Sequence, residues 1–275
     1  MELEPGIHQL TIGREPFKGF PPPNAFLVVG SESSILIDTG YDDSTDHEAR
    51  LAYLAETGGP PLSEIILTHR HPDHGGGAAS LHQATGAPLS CHPLDREALE
   101  RNHLKGRAPI AHELVGGESR ELGGLSLEII HGPGHTWGCL AIYVPERGAL
   151  FTTDTVMGVS TTVIRPGDGS LREYEQTLHL FQGIGAKVIY PGHGGPINDP
   201  AKRLSQLIEH RLRREKELLA ALATGPQTPK QLRETIYQGL PEVRQPLAEA
   251  QVTTGLNKLI EDGLAQADDG CYALV

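Results

Sequence analysis

The sequence is poor in cysteine and has no long hydrophobic run, which argues against several classes of protein. Its three cysteines, Cys91, Cys139 and Cys271, are odd in number and widely spaced, which argues against a disulfide framework. No apolar stretch approaches the roughly 20 residues of a membrane-spanning helix. The opening residues, Met-Glu-Leu-Glu-Pro, lack the basic flank and apolar core of a signal peptide. We therefore expect a cytoplasmic protein that has no membrane partner.

Aromatic residues and positive charge are also scarce. Phe, Trp and Tyr make up 5% of the chain, and the formal net charge is −12 without a long basic run. This charge disfavours tight nonspecific binding to nucleic acid, although a local basic groove would not appear in a net figure. The 275 residues, 38% of them hydrophobic, suit one large domain or a domain of roughly 200 residues with a small appendage. Fourteen histidines are many for this length and need an explanation.

Histidine is concentrated in residues 65–77, Ile-Ile-Leu-Thr-His-Arg-His-Pro-Asp-His-Gly-Gly-Gly. An apolar run typical of a buried strand comes first, and four residues of metal-ligand type follow. Because side chains i and i+2 of an extended chain point the same way, His69 and His71 can bind one ion. Asp73 and His74 come after a turn and suit a second ion. The alternative is a polar loop with chance histidines, and four ligand-type residues so close together make it the weaker interpretation.

Three later predicted strands also lead to a residue of metal-ligand type. These strands cover residues 125–131, 149–153 and 187–190, and the residues that follow or end them are His135, Asp154 and His193. Strands that present polar residues at the same end place them in one crevice, as open α/β sheets do. Further strands are expected over 7–12, 25–29, 34–38, 64–68, 88–91 and 140–144, and helices over 44–57, 76–85, 94–104 and 170–184. Residues 105–120 show no clear period and can cover the site.

The last quarter of the chain has a different character. Residues 200–223 carry an apolar stripe at helical spacing. A short helix from Thr228 to about Tyr237, another over 247–262 and a hairpin over 263–275 follow. This order of helix, helix and hairpin predicts a winged-helix-like α+β appendage.

We therefore predict three parts: a catalytic domain over residues 1–200, a connecting helix over 201–225 and a winged-helix-like domain over 226–275. The last part contains four basic and seven acidic residues, a local balance of −3. DNA-reading wings normally present a basic face, because phosphate contacts dominate affinity. We therefore expect this domain to pack on the catalytic domain or to form a contact in a homodimer.

The ligand-type residues divide into two sets. The first set is His69, His71 and His135, and the second is Asp73, His74 and His193. Asp154 can bind both ions, because a carboxylate has two oxygens while an imidazole offers one nitrogen at a time. Mixed imidazole and carboxylate ligands without cysteine suit two zinc ions, and iron or manganese are also compatible.

Two such ions predict a hydrolase. They can share a hydroxide, because metal ions lower the pKa of water toward roughly 7. The same ions polarise a scissile carbonyl or phosphoryl group. Asp73 is also the predicted catalytic residue, which orients the hydroxide and passes a proton to the leaving group.

The ligand residues lie in four short motifs whose joint spacing is specific. They are His69-x-His71-x-Asp73-His74, Gly134-His135-Thr136, Asp154 and Pro191-Gly192-His193-Gly194. Together they resemble the metallo-β-lactamase superfamily over about the first 200 residues. The resemblance implies an α/β fold, an αββα sandwich with a binuclear site on one edge between the sheets. Asp154 makes the chain similar to glyoxalase II type thioesterases rather than to true metallo-β-lactamases, which have a cysteine there or lack a bridging carboxylate.

Three further features are similar to the β-lactamase-like protein 2 branch of that superfamily. They are Thr161-Thr162-Val163, His210-Arg211 and the winged-helix-like tail. The branch includes single-strand endoribonucleases, so the resemblance makes single-stranded RNA a candidate partner. Thr162, His210 and Arg211 are therefore predicted substrate contacts, together with Trp137. The alternative is that the His210-Arg211 pair lies on a solvated helix face and pairs with neighbouring glutamates.

The choice of substrate lies between a small ester or thioester and single-stranded RNA. RNA needs a positive channel and aromatic platforms for its bases, which an acidic and aromatic-poor chain offers sparsely. An acyl substrate needs an apolar cleft, which Phe17, Phe20, the run Pro21–Pro23 and Trp137 can line. We rank ester or thioester hydrolysis first.

Two other functions are alternatives to hydrolysis. One is a persulfide dioxygenase with a single iron, against which the intact set Asp73, His74 and His193 argues. The other is a non-enzymatic nucleic-acid-binding module with a relic metal site, against which the acidic tail argues.

Overall fold

A computed structural model of the chain describes residues 1–11, 13–16 and 18–275. These residues form two compact units. The first unit contains residues 1–132, 138–160 and 185–200, and the second contains residues 133–137, 161–184 and 201–275. Two short segments from the first 200 residues thus belong to the same unit as the C-terminal tail. The predicted domain boundaries at residues 200 and 225 stay a prediction.

The first unit contains a large sheet, in which seven strands are described in chain order. They are β1 (Glu2–Glu4), β2 (Ile7–Thr11), β3 (Asn24–Val29), β4 (Ser34–Ile37), β5 (Leu62–Leu67), β6 (Leu89–Cys91) and β7 (Ile110–Glu113). The strands from β1 to β4 pair antiparallel, and those from β4 to β7 pair parallel. The parallel half brings the carboxyl ends of β4 and β5 to the same edge.

The second sheet of this unit has five strands among the described residues. They are β8 (Ser119–Glu121), β9 (Ser126–His131), β10 (Leu140–Val144), β11 (Ala149–Thr153) and β12 (Val188–Pro191). Only the pair β11 and β12 is parallel among these described strands. Buried side chains of both sheets form one core, in which the ring centroids of Phe26 and Phe151 are 5.0 Å apart. The hydrophobic strand runs of the sequence therefore have their partners in the opposite sheet.

Short helices pack on the first sheet of this unit. They are α1 (Ser44–Thr57), α2 (Pro72–Gly75), α3 (Ala78–Thr85) and α4 (Pro93–Leu99), which continues as a π-helix over Glu100–Leu104. A second core of buried residues, among them Leu67 and Leu81, lies between these helices and the sheet. Helix α1 begins as predicted, because the Asp43 carboxylate accepts the backbone N–H groups of Thr45 and Asp46.

The second unit is mainly helical. Its elements are α5 (Leu171–Ile184), α6 (Pro200–Leu222), α7 (Pro229–Ile236), a 3₁₀ turn (Glu242–Arg244), α8 (Gln245–Glu261), β13 (Ala265–Asp268) and β14 (Cys271–Leu274). Thr228 and Gln231 form a capping box at the start of α7. Buried leucines of α6, α7 and α8 form the core of this unit. The predicted order of helix, helix and hairpin is thus observed.

Some elements differ from the sequence predictions. The helix expected over 76–85 begins at Ala78, since the preceding turn forms the separate helix α2. The helix expected over 94–104 changes to a π-helix after Leu99. Residues 105–120 contain β7 and most of β8, which were missed because these edge strands are short and mostly exposed and show no alternation.

Two predictions fall on residues that the structure does not describe. Phe17, a predicted wall of the substrate cleft, and Ile12, the predicted end of a strand, lie outside the described residues. Within the part of the chain that the structure describes, every helix is too short or too polar to cross a membrane.

Candidate metal centre

The loop between β5 and α3 carries four of the predicted ligands of the first unit. His69 follows the end of β5 and is fully buried. His71 is the N-terminal cap residue of α2. Because α2 is a single turn, it returns the chain, and the ring centroid of His74 lies 4.4 Å from that of His69. The ring centroid of His71 lies 4.9 Å from that of His69.

Side chains from three segments converge beside this loop. Donor atoms of Asp73, His74 and His193 all lie within 4.8 Å of one another. The Nε2 atom of His193 is 3.3 Å from Oδ2 of Asp73 and 3.6 Å from Oδ1 of Asp154. The Nε2 atom of His74 is 3.3 Å from the same Oδ1 of Asp154. The second predicted ligand set and the predicted bridging carboxylate are therefore neighbours.

The spacing within this cluster fits a bound transition-metal ion. Zinc ligands at about 2.0–2.1 Å in a tetrahedron lie about 3.3 Å from one another. The observed contacts of 3.3, 3.3 and 3.6 Å match that spacing. They are longer than a typical N–H···O hydrogen bond of about 2.9 Å. Imidazole nitrogens and carboxylate oxygens are also the donor set that zinc, iron and manganese accept.

Asp38 orients His74 from behind. Its Oδ2 atom accepts a hydrogen bond from Nδ1 of His74 at 2.8 Å, and both side chains are almost completely buried. Because the proton of His74 lies on Nδ1, its Nε2 lone pair is left for a metal ion. Asp38 has a φ of 62°, unusual for a residue other than glycine. The buried Asp38 carboxylate therefore fixes the orientation of a predicted ligand histidine.

Thr68 extends this support to His69. Its hydroxyl donates to the carboxylate of Asp38 at 2.8–2.9 Å. The Nδ1 atom of His69 lies 3.1 Å from the same hydroxyl oxygen, which can therefore accept its proton. One carboxylate thus orients two of the predicted ligand histidines, His74 directly and His69 through Thr68. Sequence analysis missed Thr68, although a buried polar residue at the end of an apolar strand was a usable signal.

A buried asparagine supports His193. Nδ1 of His193 donates to the carbonyl oxygen of Pro21 at 2.9 Å. The side-chain amide of Asn24, which is 2% exposed, donates to the carbonyl oxygens of Pro191 and Gly194 at 2.9 and 2.8 Å. The loop that carries His193 is therefore held from both sides. Sequence analysis also missed Asn24, whose neighbours along the chain give no sign of these partners.

Gly192 allows the close approach of this loop to the cluster. A Cβ atom there would overlap Oδ1 of Asp154 and lie 2.9 Å from Cε1 of His74. Any other residue must displace one of these two side chains. The glycine before His193 is therefore part of the site.

The carboxylates of the cluster favour positively charged groups beside them and so shift the pKa values of their neighbours. Burial disfavours the charged form of His74, but Asp154 and Asp38 outweigh it and raise the pKa of His74 well above its ordinary value. Burial also opposes ionisation of Asp73, yet His74 and His193 lower the pKa of Asp73. Protons supply the positive charge in the metal-free protein, and metal ions displace such protons when they bind.

His135 belongs to the second unit. Its side chain is 7% exposed, and its Nδ1 atom donates to the carbonyl oxygen of Val163 at 2.9 Å. The other ring nitrogen, Nε2, is then the one with a lone pair for a metal ion. Its backbone comes close to α5, because a Cβ atom at the preceding Gly134 would lie 2.5 Å from the Cα atom of Tyr174.

The predicted substrate residues also lie in the second unit. Trp137 is 39% exposed, whereas Thr162 and Arg211 are buried. Arg211 donates to the Thr162 carbonyl at 2.6 Å and to Oε1 of Gln251 at 3.0 Å. Burial and then the charge of Arg211 lower the pKa of His210 to about 4, so His210 is uncharged at neutral pH. The structure thus gives Arg211 a packing role, and substrate contacts by Trp137, Thr162, His210 and Arg211 stay a prediction.

The sequence also matches known proteins. Residues 19–193 match the family model described as Metallo-beta-lactamase superfamily. A Caenorhabditis elegans protein named beta-lactamase-like protein 2 homolog is 28% identical over 244 residues, 88% of this chain and 80% of that protein. An Aspergillus fumigatus protein named atrochrysone carboxyl ACP thioesterase is 30% identical over 230 residues, 79% of this chain and 69% of that protein.

A solved structure has the same fold. A metallo-beta-lactamase family protein from Thermus thermophilus superposes with a TM-score of 0.82 at 24% identity, covering 100% of both chains. This likeness confirms the predicted mixed α/β fold, while the winged-helix-like label of the tail stays a prediction. The family model covers more than half of the chain, and its relatives include named enzymes. The chain therefore belongs to the metallo-β-lactamase superfamily and is a metal-binding hydrolase of that family.

Proposed function

We propose that the protein is a binuclear hydrolase that holds two zinc ions, with iron or manganese as alternative metals. The observation that carries this proposal is the buried cluster in which Asp154 lies 3.3 and 3.6 Å from His74 and His193. In this proposal His69, His71 and His135 would hold one ion, Asp73, His74 and His193 would hold the second, and Asp154 would bind both. The intact second set favours two ions over the single iron of a persulfide dioxygenase.

The metal ions and Asp73 have different roles in the proposed hydrolysis. Bound metal ions supply Lewis acidity, which ionises water near neutral pH and polarises the scissile bond. Asp73 is the most accessible carboxylate of the cluster, since its side chain is 16% exposed against 8% for Asp154 and 1% for Asp38. We assign to Asp73 the orientation of the attacking water and the transfer of a proton to the leaving group.

The proposed substrate is a small ester or thioester. A relative 30% identical to this chain is named a thioesterase. The ring of Phe20 lies 5.0 Å from the ring of His193 and gives the cluster an apolar neighbour, as an acyl group requires. The net charge of −12 opposes a long polyanion.

A side-by-side assay tests this proposal. Zinc-loaded protein is offered short-chain thioesters, lactones and a labelled single-stranded RNA, and thioester or ester turnover is expected to dominate. Asp73→Asn removes the proton acceptor and should lower kcat by about 10²–10⁴-fold. The matched control Asp269→Asn, in the exposed turn between β13 and β14, should keep wild-type turnover.

Metal analysis completes the test. Purified protein is expected to contain two transition-metal ions per chain. Undiminished activity of metal-free protein would overturn the proposed hydrolase, and a single bound ion would overturn the binuclear site.

Single-strand RNA cleavage is the alternative function. The order of α7, α8 and the β13–β14 hairpin supports the proposed winged-helix-like tail, and the resemblance to the β-lactamase-like protein 2 branch implies single-stranded RNA as the alternative substrate. RNA cleavage that Asp73→Asn abolishes, without thioester or lactone turnover, would put this alternative first. The winged-helix-like tail, a homodimer contact through it and a cytoplasmic location are parts of the same proposal.

A further inference from the structure

The ring of His135 donates a hydrogen bond to the middle one of three consecutive backbone carbonyls. Val163 supplies the carbonyl oxygen that Nδ1 of His135 reaches at 2.9 Å. Thr162 and Ile164 flank it and are 1% and 0% exposed. The orientation of the His135 ring therefore depends on where the segment 162–164 is held.

Helices of the C-terminal tail hold both flanking carbonyls. From α6, Nη2 of Arg211 donates to the carbonyl oxygen of Thr162 at 2.6 Å. From α8, Nε2 of Gln251 and Oγ1 of Thr254 donate to the carbonyl oxygen of Ile164 at 2.6 and 2.9 Å. These bonds hold the backbone on both sides of Val163 and so restrict the position of its carbonyl oxygen.

These donors are themselves fixed. Arg211 is 6% exposed, and its guanidinium carbon lies 4.8 Å above the ring centre of Tyr174, which is fully buried. Its Nη1 atom donates to Oε1 of Gln251 at 3.0 Å, which joins α6 to α8. Buried, mutually bonded donors of this kind lose little further freedom when they hold a third group.

The backbone around His135 is positioned by other residues. Thr177 of α5 donates its hydroxyl to the carbonyl oxygen of Pro133 at 2.8 Å, and the Ser170 N–H donates to the carbonyl oxygen of Gly134 at 3.0 Å. The contacts of the tail therefore affect the orientation of the His135 ring rather than the position of its backbone.

We propose that Arg211, Gln251 and Thr254 are positioning residues for His135. They hold residues 162–164 so that the Val163 carbonyl keeps the ring proton on Nδ1 and leaves Nε2 to bind metal. The inference deepens the proposed function and rests on it in one respect, that His135 is a metal ligand. It assigns the C-terminal tail a part in preparing a ligand, apart from any partner that the tail binds.

Two variants remove the donors with little change of shape. In the double variant Gln251→Glu/Thr254→Val both donors to Ile164 are lost, while the new carboxylate still accepts from Arg211. Arg211→Met removes the donor to Thr162, and Arg211→Lys restores one donor. The control is Arg213→Met on the same helix, because the Arg213 side chain is 59% exposed and contacts His210 and Glu217.

The first measurement is the ring tautomer of His135 in metal-free protein. Long-range ¹H–¹⁵N spectra distinguish the two tautomers, and His135→Gln assigns the signal. We expect Nδ1–H in the wild type and in Arg213→Met, and a mixture of tautomers in Arg211→Met and in the double variant. Arg211→Lys should recover part of the wild-type population, which a general loss of packing would not allow.

The second measurement is cobalt binding followed by its visible absorption. Removing a group that directly orients a metal-ligating histidine lowers metal affinity by about 10–100-fold. Because the donor variants act on His135 only through the Val163 carbonyl, we expect the cobalt affinity of one of the two sites to fall by about 3–30-fold. Wild-type tautomer populations in both donor variants would overturn the inference. Unchanged cobalt binding by His135→Gln would instead overturn the ligand role in the proposed function, and the tautomer result would still decide the positioning role.

Discussion

At the scale of single residues, the candidate site repeats one arrangement. His69, His74, His135 and His193 each have Nδ1 held by a protein oxygen, at 2.8 to 3.1 Å. The oxygen comes from a hydroxyl, a carboxylate or a backbone carbonyl. Because Nδ1 keeps its proton, a metal ion can bind at Nε2 without a change of tautomer, displacing the second proton where the histidine is charged. The site is thus organised before any ion enters.

Gly192 provides a prediction at the same scale. Gly192→Ala should lower metal content and destabilise the fold by about 1–3 kcal/mol, because the new Cβ must displace Asp154 or His74. Metal analysis and urea unfolding measure the two effects. Gly195→Ala is the matched control three residues later, since among the described residues no non-neighbouring atom lies within 4 Å of its Cβ position. Equal metal content in both variants would contradict the close packing described here.

At the scale of elements, parallel strand pairs bring most of the predicted ligands together. β4 and β5 are parallel and end near Asp38 and Thr68, and β11 and β12 are parallel and end near Asp154 and Pro191. Parallel neighbours present their carboxyl ends at one edge, so local strand ends become a common site. His135 follows β9, which pairs antiparallel with β10, and depends instead on its contacts within the second unit.

The N-terminus of α4 provides a prediction on pH dependence. His92 caps this helix through Nδ1, which accepts the Leu94 N–H at 3.2 Å, and its ring stacks on that of His131 at 4.0 Å between centroids. Burial and then His131 lower the pKa of His92 to about 4. The folded-state pKa lies below the unfolded value of about 6.5. The stability that neutral His92 contributes is therefore fully present above pH 6.5 and is lost as the pH falls toward 4.

His92→Asn keeps a capping acceptor and removes this titration. Between pH 7 and pH 5 the free energy of unfolding should shift by about 2 kcal/mol in favour of the variant relative to the wild type. Urea unfolding of both proteins at the two pH values measures the shift. An identical difference at both pH values would show that His92 titrates normally in the folded protein.

At the scale of the whole molecule, two of the four cations of residues 226–275 are paired with acids of the second unit. Arg233 is 6% exposed, donates to Glu234 at 2.9 Å and lies 3.5 Å from Glu249. Lys258 forms ion pairs with Glu215 of α6 and with two other acids of the second unit. These cations stabilise the packing of the helices and present little positive charge to solvent.

We therefore predict that the full-length protein does not bind duplex DNA appreciably. Fluorescence anisotropy with a labelled duplex should give a Kd weaker than about 100 µM at about 200 mM salt. Lowering the salt to about 50 mM should leave the affinity nearly unchanged, because few phosphates are neutralised. Micromolar binding that weakens steeply with salt would reverse the expectation and favour nucleic acid as the partner of the tail.

The sequence by itself indicated the candidate ligand residues and determined most of the elements, because their signals are local. The strand period places His69 and His71 on one side, and the turn after them brings Asp73 and His74 to a neighbouring position. Caps at Asp43 and Thr228 mark helix starts within three residues of the groups that they bind. The edge strands β7 and β8 escaped prediction, since one-sided exposure removes the alternation on which a strand prediction depends.

Only the tertiary structure decided how those ligands are oriented. Asn24 and Pro191 are 167 positions apart along the chain, and Thr254 and Ile164 are 90 apart. Hydrogen-bond partners at such separation leave no periodic or local pattern in the sequence, because each residue of the pair lies in a different element. Arg211 shows the same limit: its charge and its place beside His210 predict a substrate contact. Its burial against Tyr174 and its bonds to Thr162 and Gln251 exist only when the helices are packed together.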